Sequence, residues 1–173
     1  QTAPEDEQSQ DSKSGPLPHS GRWWAGQKLD AVFNVEGSTL GQGQYGLVKK
    51  ASYQHSAAKK WSYKDFAGGT EVAIKIINLP PKNLAKLRTK GRQAVLDKAE
   101  KEMEIHMELV HPNVVRLYGW FEEDNTYSLV MELMRGGDLF DWLAERELNE
   151  NKELVSEEHA KHMFVQLLNG VEY

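Results

Sequence analysis

Gly41-Gln42-Gly43-Gln44-Tyr45-Gly46-Leu47-Val48-Lys49-Lys50-Ala51 is the stretch whose reading decides the fold. Glycines at 41, 43 and 46 remove Cβ atoms where a backbone must turn tightly or approach a ligand. Backbone N–H groups in such a turn can face phosphate oxygens, although the same composition also serves as a plain turn. The residues after the glycines narrow the choice. In a dinucleotide-binding fold the glycines open a helix, whereas here Leu47 to Tyr53 reads as a strand. A glycine loop that closes a strand pair is a lid over phosphates, not a helix N-terminus beneath them. Upstream, Val32, Phe33, Val35 and Leu40 suggest a first strand, interrupted at Gly37.

Downstream, residues 54–69 are polar, with Lys59-Lys60 and Gly68-Gly69, and read as a loop. Thr70 to Ile77 is a β-branched-rich strand that ends before Pro80-Pro81. Alternation places Ala73, Lys75 and Ile77 on one face and Val72, Ile74 and Ile76 on the other. A lysine in such a strand either finds an anionic partner or snorkels to solvent. Residues 84–110 carry a helical pattern in which Val95, Ala99, Glu102, His106 and Leu109 share a face, while Leu96, Met103 and Met107 mark a competing centre for the apolar stripe. Inside the stripe Glu102 requires a cation; on its rim it is an ordinary surface carboxylate. His111-Pro112-Asn113 stops this helix.

Val114 to Phe121 and Tyr127 to Met131 read as two strands joined by the turn Glu122-Glu123-Asp124-Asn125. After the break at Gly136-Gly137, Asp138 to Glu147 forms a short helix. Ser156 is a plausible N-cap, with Glu157 and Glu158 in the positive first turn of a helix that continues to Tyr173. The order is therefore strand, strand, strand, helix, strand, strand, helix, helix, an α+β arrangement.

Composition excludes several classes. A chain of 173 residues holds one ordinary domain, and 39% hydrophobic with 27% charged residues is a globular balance. With no cysteine, disulfide frameworks and cysteine metal sites are ruled out. No apolar run approaches the ~20 residues that span a bilayer, and residues 1–20 lack the pattern of a signal peptide. A net charge of −5 gives no general reason to expect nucleic acid. Residues 80–101 hold seven Lys/Arg against two acids, a run that reads first as a solvated helix face and loop and second as an anion-docking surface. Residues 1–22 form a polar, disordered lead-in, and Trp23-Trp24 would anchor it to the domain in preference to serving as a ligand platform. His159 and His162 are three apart on a helix, but no further ligands accompany them, and no metal site is expected within the chain.

Taken in order, Gly41-x-Gly43-x-x-Gly46-x-Val48, then Val72-Ala73-Ile74-Lys75, then a helix carrying Glu102, resemble the first part of the eukaryotic protein-kinase signature. His111-Pro112-Asn113-Val114-Val115-Arg116-Leu117 is similar to the family's link into its fourth strand. Met131-Glu132-Leu133-Met134 and Gly136-Gly137-Asp138-Leu139-Phe140 resemble its hinge and the start of its second lobe. The wording most resembles calcium/calmodulin-dependent and checkpoint-type Ser/Thr kinases, over roughly residues 33–173.

The resemblance implies an N-lobe over 23–132, with a five-stranded antiparallel sheet and one main helix, followed by the hinge and the first two C-lobe helices over 133–173. It implies ATP as cofactor. Leu40, Val48 and Ala73 would sandwich the adenine, with Met131 behind it and the Glu132 and Met134 backbones on its edge. Gly41, Gly43 and Gly46 would cover the phosphates, Lys75 would bind them and pair with Glu102, and Asp138 would lie near the ribose. His106 and Leu117 would be packing positions behind Glu102. A protein substrate, an intracellular setting (cytoplasmic or nuclear), and no nucleic-acid or membrane partner are expected; the regulator is unknown.

Two departures stand out: residues 54–69 look inserted, and the stretch from Lys75 to Glu102 is long. Neither a His-Arg-Asp triplet nor Asp-Phe-Gly occurs in the chain. The expected Mg²⁺ would take its protein ligands from beyond Tyr173, and the 173 residues alone are expected to be inactive. The competing expectation is a non-catalytic nucleotide-binding or partner-binding module.

Overall fold

A computed structural model describes residues 27–43, 46–60, 66–79, 85–123, 125–148 and 155–173. The lead-in and the two tryptophans lie outside them. The elements run α1 (Leu29–Val32), β1 (Phe33–Gly43), β2 (Gly46–Tyr53), α2 (His55–Lys60), β3 (Glu71–Asn78), α3 (Ala85–Glu108), β4 (Leu117–Glu123), β5 (Thr126–Glu132), α4 (Leu139–Leu148) and α5 (Glu157–Glu172). The five strands form one antiparallel sheet in the order β1-β2-β3-β5-β4.

Alternation along β3 splits the core into two layers, as the sequence predicts. Val72 and Ile74 are fully buried and Ile76 packs beside them, in a layer with Phe33, Tyr53, Phe66, Phe121 and Val130. Ile77 points the other way, into a layer with Trp120, Tyr127, Leu129 and the α3 residues Ala99 and Met103.

Four expectations need correction. Residues 54–69 are not simply a loop, because His55–Lys60 is helical and buries Ala57 against the first layer. Both ends of this insertion are tied down. Gln54 N–H donates to the Val32 carbonyl at 2.9 Å, and Tyr53 N–H donates to the Thr70 carbonyl at 2.8 Å. Phe66 then stacks edge-on against Phe33 and Tyr118, with centroids 6.0 and 4.8 Å apart. An aromatic face that would otherwise meet water is covered by the chain's own insertion, which is why a polar segment folds there.

Val32 belongs to α1, not to the first strand, and β1 continues through Gly37 with its register shifting between Val35 and Thr39. The fourth strand opens at Leu117, three residues later than Val114. Its approach is governed by His106, whose Nε2–H donates to the Val115 carbonyl at 2.6 Å and holds the end of α3 against the incoming chain. Finally, the competing stripe is the buried one. Met103 is buried and Met107 packs beside it; on the other face Ala99 is buried too, but the Glu102 side chain stays on the rim, 48% exposed.

Ser156 caps α5 as expected, its Oγ accepting from His159 N–H at 3.2 Å. The far end of α5 meets the α3–β4 connection. Tyr173 stacks on His111 with centroids 5.0 Å apart, Asn113 Nδ2 donates to Gln166 Oε1 at 3.4 Å, and a Cβ on Gly170 would lie 2.9 Å from the Asn113 carbonyl oxygen.

Candidate nucleotide-binding cleft

Between the sheet and the segment after β5 lies a cleft of about 520 Å³, within the usual range for small-molecule sites. Seven of the residues singled out in the sequence line it: Leu40, Val48, Ala73, Met131, Glu132, Met134 and Asp138. Strand pairing brings them together. Ala73 is opposite Met131 on β5 and opposite Lys50 on β2, and Gly41 is opposite Val48. Residues separated by more than ninety positions in sequence thereby share one wall.

Lys75, Glu102 and the three glycines do not line this cavity. Lys75 sits on the same face of β3 as Ala73, two residues and so about 7 Å further along the strand. Its Nζ lies 3.3 Å from Glu102 Oε1, donating a charged hydrogen bond across the gap between sheet and α3. Rim placement leaves Glu102 long enough to reach the lysine while Met103, its neighbour, fills the core. Of the two readings of Lys75, pairing is the one the structure adopts.

The glycines separate into two kinds. A Cβ at Gly46 would lie 1.8 Å from the Ile76 carbonyl oxygen, so glycine is required there by the close approach of β2 to β3. A Cβ at Gly41 would have nothing within 4 Å, which leaves its surroundings open to a ligand. Gly43 pairs with Gly46 at the tip.

At the hinge, Glu132 N–H already donates to the Arg116 carbonyl at 2.9 Å, and its carboxylate Oε2 accepts from Arg116 N–H at 3.2 Å. The Glu132 N–H is therefore already engaged and is not open to a ligand. Asp138 Oδ1 accepts from Asp141 N–H at 2.8 Å and so caps α4, which leaves its second oxygen for the cleft. Gly136 and Gly137, with φ of 108° and 79°, make the intervening turn in a region other residues avoid.

Lys50, Val115, Arg135 and Asp141 also line the cleft and were not foreseen. Lys50 was within reach of the strand period, being two residues beyond Val48. Val115 was not, since it arrives from a connection whose path depends on His106. Lys50 Nζ contacts Glu71 Oε1 at 2.5 Å and Glu36 Oε1 at 3.5 Å, and Arg135 Nη2 contacts Glu71 Oε2 at 2.6 Å. The Arg135 hydrogen bond, then that of Lys50, holds the Glu71 carboxyl below its ordinary pKa. The Glu71 hydrogen bond, outweighing partial desolvation, raises the Lys50 pKa above its ordinary value. Among the described residues no group of three or more His, Cys, Asp or Glu could hold a metal ion, and no helix is long and apolar enough to cross a membrane.

Comparison with known proteins places this geometry. The family model for the protein kinase domain matches residues 34–173. Death-associated protein kinase 2 of Mus musculus is 31% identical over 147 residues, covering 85% of this chain and 33% of the mouse protein. Serine/threonine protein kinase OSK3 of Oryza sativa subsp. indica is 31% identical over 137 residues, covering 79% of this chain and 22% of its own length. The crystal structure of Rad53 1–466 in complex with AMP-PNP superimposes with a TM-score of 0.58 at 28% identity, over 82% of this chain and 29% of that one. The chain thus spans a third or less of the length of these relatives. Its five-stranded sheet, α3 and the two following helices are those of the kinase N-lobe and early C-lobe, and the chain belongs to the protein kinase domain family.

Proposed function

We propose that this chain is the ATP-binding portion of a Ser/Thr protein kinase, which transfers the γ-phosphoryl group of ATP to a protein hydroxyl. The observation that carries the reading is Lys75 Nζ held 3.3 Å from Glu102 Oε1 on the sheet face that also carries Ala73 and the cleft. Support for ATP comes from the fit of the cleft and from the nucleotide analogue in the similar Rad53 structure. Support for Ser/Thr preference comes from the name of the rice relative and from the wording of the hinge.

ATP, when bound, supplies the phosphoryl group. Leu40, Val48 and Ala73 would exclude water from the adenine, with Met131 behind. The Glu132 carbonyl would accept from the adenine edge and the Met134 N–H would donate to it. The second oxygen of Asp138 would accept from a ribose hydroxyl. Lys75, oriented by Glu102, would neutralise the α/β-phosphates, and Gly41, Gly43 and Gly46 would cover them. Mg²⁺ would take its ligands from elsewhere, because the described residues offer no group of three or more His, Cys, Asp or Glu for it. Residues 23–132 act as the N-lobe and 133–173 as hinge and early C-lobe. We further propose that the 173 residues bind without transferring, since they contain neither His-Arg-Asp nor Asp-Phe-Gly, and that the whole protein works inside the cell on protein substrates.

The test is labelling of the purified chain with a lysine-reactive ATP analogue. Modification of Lys75, competed by ATP and lost in Lys75→Met, is expected. Labelling spread over surface lysines and insensitive to ATP would sink the reading.

A second reading, a non-catalytic partner-binding module, is favoured by one observation. Leu139, Phe140 and Leu143 on α4, and Phe164, Val165, Leu168 and Val171 on α5, are exposed. A monodisperse chain that neither self-associates nor captures a partner would dismiss it.

A further inference from the structure

Four charges of alternating sign cross the sheet near the cleft mouth: Glu36 on β1, Lys50 on β2, Glu71 at the start of β3, and Arg135 after β5. Their arrangement is uneven. Glu71 is the branch point, one carboxylate oxygen on Lys50 and the other on Arg135. Lys50 and Arg135 both line the cleft, one on the sheet side and one on the hinge side, whereas Glu71 does not line it. Arg135 also directly precedes Gly136 and Gly137, whose positive φ values mark the turn through which the chain leaves the sheet for α4. Glu71 thus joins the two sides of the opening from outside it, next to the turn at Gly136 and Gly137.

We propose that Glu71 is a positioning residue for the cleft, a clasp that ties the post-hinge segment to the sheet and sets the width of the cleft mouth. Geometry makes it asymmetric: loss of Glu71 frees Arg135, while Lys50 keeps Glu36. Cleft width then depends on ionic strength, because the contacts with Arg135, whose side chain is 76% exposed, are open to screening. As a statement about nucleotide binding, the inference rests on the function proposed above; as a statement about the hinge, it does not.

Two measurements on the full chain keep those apart. Without nucleotide, amide hydrogen exchange is followed by mass spectrometry over residues 133–138 in the wild type, Glu71→Gln, Arg135→Gln and the double variant, at low and high salt. Each single variant is expected to speed exchange there by roughly two- to fivefold, the scale of an exposed ion pair. The double variant should add nothing further, and salt should speed the wild type alone. Equal exchange in all four chains, or additive effects, would overturn the clasp. In parallel, titration with a fluorescent ATP analogue should show weaker binding and faster dissociation in both single variants, with only a small fall in melting temperature. If exchange shifts but no chain binds the analogue, the clasp stands and the nucleotide reading fails. If the analogue binds in a Lys75-dependent way with neither exchange nor affinity altered by Glu71→Gln, the clasp fails and the nucleotide reading stands.

Discussion

Lys75 Nζ and Glu102 Oε1 lie 3.3 Å apart although the two side chains are 26% and 48% exposed. An ion pair with that exposure contributes only about 0–1 kcal/mol to stability, so its value to the fold is small. Replacing Lys75 by Met should therefore leave the thermal midpoint nearly unchanged. Affinity for an ATP analogue should fall roughly tenfold to a hundredfold, the scale of a charge-assisted hydrogen bond. Glu102→Gln should weaken binding less, because the ammonium remains. Calorimetric titration beside a melting curve separates the two effects, and a large loss of stability in Lys75→Met would mean that the pair serves the fold.

Gly46 and Gly41 should respond oppositely to the same substitution. At Gly46 the new methyl would meet the Ile76 carbonyl at 1.8 Å; strand separation or a shifted register is the only relief, at a cost of about 1–3 kcal/mol or more. Gly41→Ala enters open space and should change stability by less than about 0.5 kcal/mol, while crowding a bound phosphate. Chemical denaturation of the two variants checks this, and equal destabilisation would refute the distinction.

Phe66 holds the insertion onto the sheet. Its ring is 8% exposed and meets Phe33, Tyr53 and Tyr118. Phe66→Ala should cost roughly 3–5 kcal/mol if the site cannot collapse, and limited proteolysis should then cut within 54–69 faster than elsewhere. A variant as stable and as resistant as the wild type would mean that the insertion is merely lying on the surface.

The Glu71 network has a definite pH sign. Arg135, then Lys50, keeps the Glu71 carboxyl below its ordinary pKa, so in acid the unfolded chain binds more protons than the folded one. Its contribution is whole above about pH 4.3, the ordinary glutamate value, and is lost as pH falls through the depressed value. Lys50 behaves oppositely, since Glu71 raises its pKa. Its contribution is whole below about pH 10.4 and is lost as pH rises through the raised value. Both effects are small because the groups are solvent-exposed. Melting temperatures of the wild type and Glu71→Gln should converge as pH falls below the ordinary glutamate value; parallel curves would contradict the assignment.

Much of this was legible in the chain itself. Period-two alternation put Lys75 and Ala73 on one face and Ile74 on the other, because successive side chains of a strand must point to opposite sides whatever the surroundings. A strand after Gly46 distinguished a glycine turn between two strands from a dinucleotide turn, and Ser156 announced α5 by the chemistry of a cap. Such features arise from covalent geometry and local hydrogen bonding, so the sequence determined them alone. Tertiary structure decided what depends on several segments at once. The apolar stripe of α3 had two centres; burial of Met103 against the sheet selected one and moved Glu102 to the rim. Residues 54–69 look polar, yet α2 and Phe66 fold over an aromatic face that only strand pairing assembles. Glu71 meets Lys50 and Arg135 because β2, β3 and the post-hinge chain converge, and no local pattern encodes a meeting of residues 64 positions apart.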